Sequence, residues 1–553
     1  MIRESIKICI VFFFLTLSLA AAKCQQTAPD LVLLNGKIFT SDAAHPYVQA
    51  LAIRGERIAA TGNSTKIKAL VGPHTKQIDL GGRTIVPGIN DAHNHLGIAP
   101  PNHIDLELAS PDPAWPEMKA AITGAVLKAP KGTFINGTIA WKIFRDLEVD
   151  RNALDQVAPD NPVVLQTLTN HAWIMNSAAL AQAGIREGQP DPLGGRFERS
   201  SDGRLTGVIR EYAVFDVERA FADQTSEADA LSELRRSFSE AVKWGITTIQ
   251  DMSNDMSPER CIALLEKMPT PIRVRVMRMP GTTPAGRDVK EGRPVPHNSN
   301  PLITVSGTKW MLDGTPVEGT FASRDNPATV GYFVLHEQLT FPKDQLGSML
   351  RETLQDHDQL MVHVSSYPPA AAMVDAMQSA GGMQIWAKRR LRFEHGDGLT
   401  PDLIPRVKEL GIVVVQNPSH LTVENLNPDL RGIFENLKVQ PLRSLLTAGI
   451  PVALGSDGPT NPYLNIMLAS LDPNRPSEAI TREQAVIAYT LTSAYAEFAE
   501  KDKGSLEPGK LADLAVLSQD IFTVDASDLP KTESLLTMVG GKIVYDGKVI
   551  AHQ

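Results

Sequence analysis

The chain has 553 residues, of which 42% are hydrophobic and 21% charged, and its formal net charge is -9. These values describe a soluble globular protein that can bury a large core, and they exclude a disordered or fibrous chain. The acidic balance provides no basic surface for nucleic acid or for an anionic membrane. A small-molecule substrate is therefore the expected partner, and a homo-oligomeric state stays open.

The first 22 residues have the pattern of a secretory signal peptide. Arg3 and Lys7 precede an apolar run that ends in three alanines at Ala22. This pattern predicts cleavage near Ala22, export to the periplasm or the medium, and no stable membrane span afterwards. An uncleaved anchor is the alternative, although the run is short for a bilayer span. Lipid attachment at Cys24 also stays open, but Lys23 before it fits a lipoprotein processing site poorly.

The two ends of the mature chain share a β-type texture. Short apolar runs over residues 30–62 are broken by Asn-Gly and Arg-Gly turn signals, and residues 514–547 repeat this pattern. We therefore predict one composite β-sandwich built from residues 27–84 and 505–553.

The middle of the chain, residues 85–504, alternates short apolar runs with longer helical patterns. This alternation predicts an α/β fold in which parallel strands covered by helices close a (β/α)8 barrel of the TIM type. A long insertion, about residues 98–240, follows the first strand. The predicted strands are 83–90, 245–251, 272–277, 302–310, 359–364, 390–394, 412–416 and 452–455.

Candidate metal ligands fall at the ends of these predicted strands. A lone His-x-His pair is more often two ordinary histidines, but here four further strand ends or neighbouring loops add similar residues. In a barrel, the C-terminal strand ends surround one mouth, so the side chains should meet there. Only Cys24 and Cys261 survive signal cleavage and are more simply two unpaired thiols, so a Cys-rich zinc site is excluded. The candidate ligands are His93, His95, Lys309, His363, His395 and Asp457.

Nearly the whole mature chain resembles the amidohydrolase superfamily, and within it the YtcJ-like branch that includes N-substituted formamide deformylases. The resemblance implies a distorted (β/α)8 barrel flanked by the split β-sandwich. It is carried by residues 85–95 (IVPGINDAHNH), 170–171 (NH) with 176–180 (NSAAL), 245–248 (GITT), Lys309 with Asp313-Gly314, Glu394-His395, 455–457 (GSD) and 504–514 (GSLEPGKLADL).

The resemblance also implies a role for Lys309, whose protonated ammonium would repel a cation. Lys309 resembles the family's carboxylated lysine, which bridges two metal ions as an anionic carbamate. The implied ligands are His93, His95 and Asp457 for one ion and His363 with His395 for the other, and a single-metal variant stays open. Zinc is the leading metal because imidazole and carboxylate suit it, while manganese, iron or nickel could occupy the same set.

These features predict a metal-dependent hydrolase without an organic cofactor. Metal-activated hydroxide would attack an amide carbonyl of a small N-acyl or N-formyl compound, with Asp457 as general base and then general acid. The same site could instead hydrolyse an ester or lactone, open a cyclic amide or deaminate a ring. A periplasmic binding protein without turnover is a further alternative, which the intact Asp457 disfavours.

Two loops depart from the family pattern. From His363 the chain reads His-Val-Ser-Ser-Tyr-Pro-Pro, where the family usually reads His-Ala-Ile-Gly-Asp, and the loop after Lys309 is also altered. Both loops should line the pocket mouth, so substrate specificity does not carry over from a characterised member.

Further residues are candidates for substrate contact because they follow strand ends or lie in the insertion. Weaker candidates are Gln416, Trp141 and Trp173, for which core packing is the simpler interpretation. The residues that we predict to contact substrate are His171, Trp310, Asp313 and His420.

Overall fold

The computed structural model describes residues 28–315, 339–425 and 439–549, together with Glu318, Gly319, Phe321 and Arg324. The predicted signal peptide and Cys24 lie outside these residues, so cleavage, export and lipid attachment stay predictions. Cys261 is buried and unpaired. Across the described part of the chain, no helix has the length and apolarity that crossing a membrane requires.

Eight parallel strands form a nearly closed barrel with helices around it, which confirms the predicted fold class. Their mutual hydrogen bonding follows chain order from β1 to β8. The strands are β1 (Ile89–Asn94), β2 (Ile246–Ser253), β3 (Arg273–Arg278), β4 (Ile303–Met311), β5 (Leu360–Val364), β6 (Arg392–His395), β7 (Val413–Gln416) and β8 (Val452–Leu454).

The predicted first strand, residues 83–90, is two strands. Thr84–Pro87 pairs with strands of the β-sandwich, and the chain enters the barrel only at Ile89. Gly88 makes the crossing, because a Cβ there would lie 2.2 Å from Oγ1 of Thr247. The apolar run is continuous through this crossing, which is why the sequence pattern did not separate the two strands.

Hydrogen bonds from the segment after β8 close the barrel against β1. The backbone N–H of Asp457 donates to the carbonyl of His93 (2.9 Å), and that of Ser456 donates to the Asp91 carboxylate (2.8 Å). A Cβ at Gly455 would lie 2.4 Å from the Cβ of His93, so glycine permits this approach. Two predicted ligands, His93 and Asp457, are therefore adjacent across the seam.

Helices surround the barrel and follow most of its strands. The helix Glu227–Lys243 shows why they form: Ser226 caps its first turn, and buried residues recur at helical spacing along it. The helices after β1 are Tyr212–Ala222, Glu227–Lys243, Pro258–Glu266, Lys343–Asp356, Tyr367–Ser379, Met383–Trp386, Ile404–Glu409, Leu442–Ala448, Pro462–Leu471, Arg482–Ile487 and Ser493–Ala496, with a π-helical turn at Ala488–Thr492 and 3-10 segments at Pro418–Asn425, Pro476–Glu478 and Ala526–Lys531.

Both ends of the chain contribute to a two-sheet β-structure beside the barrel. Its sheets enclose a separate apolar core of leucine, isoleucine, valine and methionine side chains. One sheet has the order Arg57–Gly62, Ala50–Arg54, Leu31–Leu34, Lys76–Asp79, and the other has the order Lys542–Asp546, Ser534–Val539, Leu514–Leu517, Thr84–Pro87, Lys37–Phe39, Tyr47–Val48. The short helix Ser64–Lys68 packs on the first sheet.

The insertion after β1 contains its own mixed sheet with apolar clusters of its own. The sequence patterns did not predict this sheet. Its strand order is Gly195–Arg199, Leu205–Glu211, Ala172–Met175, Val163–Thr167, Phe134–Ile139, His103–Asp105, and its helices are Trp115–Lys128, Trp141–Arg145, Arg151–Val157 and Ser177–Gln182. The sheet leads directly into the helix Tyr212–Ala222, which reaches the barrel mouth.

Candidate metal centre at the barrel mouth

A cavity of 810 Å³ lies at the C-terminal ends of the barrel strands, a size typical of small-molecule sites. The insertion supplies part of its wall, including Trp173 and Phe221. Eight of the residues predicted for the site line this cavity, namely His93, His95, His171, Lys309, His363, His395, His420 and Asp457.

The histidine rings form a continuous cluster. Ring centroids are 5.4 Å apart for His93 and His95, and 5.0 Å apart for His93 and His395. The His395 ring lies 4.5 Å from that of His363 and 5.4 Å from that of His420. Residues from β1, β5 and β6 and the segment after β7 are thus brought together, as the strand-end argument predicted.

The Asp457 carboxylate lies at the centre of this cluster. Its Oδ1 is 3.5 Å from Nε2 of His93 and 3.3 Å from Nε2 of His95, while its Oδ2 is 3.4 Å from Nε2 of His420. Burial raises the pKa of Asp457, but the nearby His93, His95 and His395 hold it well below its ordinary value. Asp457 has a positive φ of 39°, a sparsely populated conformation that concentrates at functional sites.

A buried ion pair orients His93. Its Nδ1 lies 2.8 Å from the Glu394 carboxylate, which Arg392 contacts through Nε (2.8 Å) and Nη2 (3.0 Å). All three side chains are fully buried. Burial raises the pKa of Glu394, but Arg392 and His93 lower it to about 2 overall. Because the ionised carboxylate accepts from Nδ1–H, Nε2 of His93 keeps its lone pair toward the cavity.

The other imidazoles are held in the same way, each with Nδ1 against an oxygen. The Nδ1 of His95 faces the Met252 carbonyl (2.9 Å) and the Asn254 side-chain oxygen (2.8 Å). For His363 the partner is Asp313 at 3.0 Å, and for His395 it is Asn417 at 2.9 Å. Such partners are typical of metal-binding histidines, whose second nitrogen holds the ion.

The pKa shifts of these histidines favour neutral rings at most positions. Burial lowers the pKa of His93 to about 4 and holds those of His363 and His395 well below the ordinary value. His95 differs: burial lowers its pKa, but Asp457 raises it, and the net direction is upward. Neutral imidazole is the form that binds a metal.

Lys309 lies beside the histidine cluster, with its Nζ 3.2 Å from Nε2 of His93. Its side chain is buried, and burial lowers its pKa to about 8 despite the opposing charges of Glu394 and Asp457. A substantial neutral fraction at mild alkaline pH is what carboxylation of the amine requires, because only the free amine has a lone pair.

The donor set fits a divalent cation. His93, His95 and Asp457 offer ligand atoms that all lie within 4.8 Å of one another, and so do His395, His420 and Asp457. The first group is the set that the family resemblance implied. The second contains His420, which we predicted to contact substrate, in the place where we predicted His363. Imidazole and carboxylate donors in such groups suit zinc and its first-row neighbours.

Two predicted substrate contacts do not line the cavity. Trp310 points to the opposite face of β4 from Lys309, because neighbouring strand residues alternate, and its ring packs near Tyr212 and Phe341. Asp313 is fully buried and accepts hydrogen bonds from the backbone and side chains around His363. Both side chains therefore lie outside the cavity, and their contact with substrate stays a prediction. Of the weaker candidates, Trp173 lines the cavity, whereas Gln416 and Trp141 do not.

The insertion brings His171 to the cavity beside His363, with ring centroids 4.9 Å apart. Its Nδ1 lies 2.8 Å from the fully buried Glu211, and the backbone N–H of Glu211 donates to the His171 carbonyl (2.9 Å). The pKa of His171 is lowered by burial and raised by Glu211, and the net direction is upward.

Sequence reasoning assigned no supporting role to Asn254, Arg392 or Glu394, although Glu394 belongs to a matching motif, and none to Glu211, which supports His171. One signal was available, since alternation along β6 places Arg392 and Glu394 on the same face. His395 also reaches the cavity because its φ of 66° turns the backbone at the strand end.

An eight-stranded barrel with imidazole and carboxylate donors at its C-terminal mouth is the architecture of metal-dependent hydrolases. A sequence model of the amidohydrolase family matches residues 76–545, and the chain belongs to this family. The predicted class of enzyme, a metal-dependent hydrolase acting on carbon–nitrogen bonds other than peptide bonds, is thereby confirmed.

Curated relatives extend over nearly the whole chain. An N-substituted formamide deformylase of Arthrobacter pascens is 29% identical, with 94% of this chain and 98% of the relative covered. The putative amidohydrolase YtcJ of Bacillus subtilis is 25% identical over 92% of this chain and 98% of its own length. The Arabidopsis thaliana protein LONG AFTER FAR-RED 3 is 28% identical over 93% of this chain and 91% of its own length.

Solved structures share the fold. An uncharacterised metal-dependent hydrolase from Pyrococcus furiosus aligns with a TM-score of 0.64 at 21% identity, over 89% of this chain and all of that one. A mutant of the chlorohydrolase TrzN from Arthrobacter aurescens, complexed with zinc and atraton, has a TM-score of 0.52 at 16% identity over 93% and 95% of the two chains. At these identities the likeness shows the fold alone.

Proposed function

We propose that the protein is an exported hydrolase of small N-acyl or N-formyl amides. The observation that carries this proposal is the position of Asp457, within 3.6 Å of imidazole nitrogens from His93, His95, His395 and His420 at the barrel mouth. One carboxylate can therefore both bind a cation and move a proton at the same place.

His93, His95 and Asp457 would hold one divalent cation, and His395 with His363 or His420 a second. We propose zinc, which the donor types favour. When bound, the cation lowers the pKa of a coordinated water and polarises the substrate carbonyl. Lys309, as a carbamate, would contribute an anionic oxygen ligand to both positions, and its lowered pKa supports this modification.

The remaining steps, proton transfer, substrate binding and exclusion of water, are assigned to residues of the chain. Asp457 orients the attacking water, accepts its proton at a carboxylate oxygen and delivers that proton to the leaving nitrogen. His171 reaches the cavity from the insertion and would hydrogen-bond the substrate, with Glu211 fixing its ring. Trp173 and Phe221 add an apolar wall that excludes water from one side of the cavity.

The amide substrate class is supported by the relatives, since one of them is named for deformylation of N-substituted formamides. Ester or lactone hydrolysis, cyclic amide opening and ring deamination would use the same groups. A binding protein would not need a carboxylate placed to move a proton.

Metal analysis combined with a substrate panel tests the proposal. Metal analysis of the purified mature protein is expected to find stoichiometric zinc, and chelation should remove hydrolysis that added zinc restores. A panel of N-formyl amines, N-acyl amines, N-acyl amino acids and simple esters, with product identification, then assigns the bond cleaved. Faster turnover of the esters would reject the amide assignment, and the absence of bound metal would reject the mechanism.

A further inference from the structure

Glu218, on the helix Tyr212–Ala222, connects the insertion to the metal centre. Its Oε2 accepts a hydrogen bond from Nδ2 of Asn254 (2.6 Å), and its Oε1 accepts one from Nδ2 of Asn170 (2.5 Å). Asn254 follows β2 directly, whereas Asn170 belongs to the insertion. One half-buried carboxylate therefore joins two parts of the chain that are far apart in sequence.

The first connection continues to a metal ligand. The Oδ1 of Asn254 lies 2.8 Å from Nδ1 of His95, so Glu218 is two hydrogen bonds from that imidazole. A side-chain amide has one donor end and one acceptor end. Because the donor end of Asn254 is engaged by Glu218, its oxygen must face His95, and this requires the proton on Nδ1. The Met252 carbonyl favours the same tautomer.

The second connection fixes the insertion against the cavity. The Oδ1 of Asn170 accepts from Nε1 of Trp173 at 2.6 Å, and Asn170 has a φ of 60°. The residue after it is His171. Glu218 thus orders the short segment that carries a predicted substrate contact and an aromatic wall.

Other contacts make this helix a rigid support for Glu218. Arg219 donates through Nε to the carbonyl of Asn254 (2.8 Å) and pairs with Glu291 (2.7 Å). The hydroxyl of Tyr212 accepts from the backbone N–H of Met311 on β4 (2.9 Å). The helix is held at the ends of β2 and β4, so Glu218 meets Asn254 in a fixed geometry.

We infer that Glu218 is a positioning residue of the metal centre, which holds Asn254 so that Nε2 of His95 faces the cation. This inference rests on the proposed function, because it assumes that His95 is a metal ligand. The insertion would then do more than enclose substrate, because its helix would support His95, the ligand that directly follows β1. Partners of metal ligands that lie beyond direct coordination typically change metal affinity by about 10–100-fold when removed.

The test is a zinc titration of metal-free protein in competition with a chromogenic chelator. Glu218→Gln is the sharpest variant, because glutamine has the same size but offers one acceptor oxygen where glutamate offers two. It should weaken zinc binding at one site by about 10-fold, and Glu218→Ala by up to about 100-fold. Glu227→Gln, on an exposed pair with Lys267 in the neighbouring helix, is the matched control and should bind zinc like the wild type.

Two further readouts separate positioning from general structural support. The unfolding midpoint of the metal-free protein should change little in Glu218→Gln. The double variant Glu218→Gln/Asn254→Ala should bind zinc no more weakly than Asn254→Ala alone, because both substitutions break one connection. If Glu218→Gln also lowers the stability of the metal-free protein, Asn254→Ala becomes the test of the connection to His95. This variant should show the same loss of zinc affinity.

The outcomes also separate this inference from the proposed function. Wild-type zinc affinity in both Glu218→Gln and Asn254→Ala would overturn the positioning role while leaving the hydrolase proposal intact. Weakened zinc binding in a protein that cleaves no amide would support the positioning role and reject the amide assignment. A wild-type protein without stoichiometric zinc would overturn both.

Discussion

On two sides of the barrel mouth, carboxyl groups are buried equally deeply but their pKa values are shifted in opposite directions. On the β6 side, Glu394 lies between Arg392 and His93, and these partners overcome burial to lower its pKa to about 2. On the β2 side, Asp251 accepts a hydrogen bond from the backbone N–H of Leu96 (2.9 Å), and burial raises its pKa to about 7. The difference indicates that adjacent partners, here Arg392 and His93, rather than depth decide which buried carboxylate stays ionised.

The contrast extends to the neighbours of each group. The β6 side, called the charged side below, also contains Asp457 and His93, which meet across the barrel seam. The β2 side adds Asp255 and Glu218, whose pKa values burial raises to about 6 and about 7. The β6 side therefore has the strongly ionised groups that proton transfer and cation binding require, whereas the carboxyl groups of the β2 side take up protons more readily.

The largest expected effect follows from removing the proton-accepting group of the charged side. Asp457→Asn should lower kcat by at least about 10³-fold, because an amide cannot take the proton of the attacking water. The fold should persist, since the backbone N–H that bonds the His93 carbonyl is unchanged. Steady-state hydrolysis and circular dichroism measure the two properties, and a near-normal rate would exclude Asp457 as the proton carrier.

A stability measurement tests whether the guanidinium holds Glu394 ionised. Arg392→Met should lower the free energy of unfolding by about 3–5 kcal/mol, because it leaves a buried carboxylate without its cation. Arg236→Met is the control: its pairs with Glu233 and Glu240 are largely exposed and are worth at most about 1 kcal/mol. Equal losses in the two variants would show that burial does not make the Arg392–Glu394 pair more important than an exposed ion pair.

The pH dependence of stability should differ in sign between the two sides. Asp251 binds its proton more tightly in the folded state, so its contribution to stability rises as pH falls from about 7 toward its ordinary pKa of 3.8. Glu394 binds its proton more weakly when folded, so its contribution is lost as pH falls from 4.5 toward about 2.

Denaturant unfolding of metal-free protein between about pH 8 and about pH 4 measures the first of these contributions. Asp251→Asn should flatten the profile in this window, by up to about 1.4 kcal/mol for each pH unit. Asparagine keeps an oxygen that can accept from Leu96 and does not titrate, although it replaces the oxygen near the Cys261 thiol by an NH2 group. A variant whose profile follows the wild type at every pH would mean that Asp251 is not the titrating group.

These predictions rest on features that the sequence revealed unequally. The His93 and His95 pair, Lys309 and Asp457 could be placed because parallel strands deliver their C-terminal ends to one mouth. Trp310 lies outside the cavity, which alternation from Lys309 along β4 already indicated by assigning it to the opposite face. A local sequence pattern indicates where a residue lies in its own strand. It does not indicate which residue of another strand its side chain contacts.

The supporting residues were missed for that reason. Glu394 meets His93 across 301 positions, and Asn254 meets His95 across 159. The sheet of the insertion was missed differently: its strands pair in both parallel and antiparallel directions, so no regular alternation of strand and helix marks them. The wall of the cavity that the insertion builds is therefore the part for which structure was needed.

The smallest expected effect concerns the neutral contact between the insertion helix and β4. Tyr212→Phe removes the hydroxyl that accepts from the Met311 backbone N–H, which should lower the free energy of unfolding by about 1 kcal/mol. Tyr367→Phe is the control, because its hydroxyl contacts Asp402 on an exposed surface and should matter less. Since Tyr212 carries no charge, its loss should be independent of pH, unlike that of Arg392 or Asp251. A loss as large as that of Arg392→Met would show that neutral contacts hold the barrel mouth as strongly as the buried ion pair.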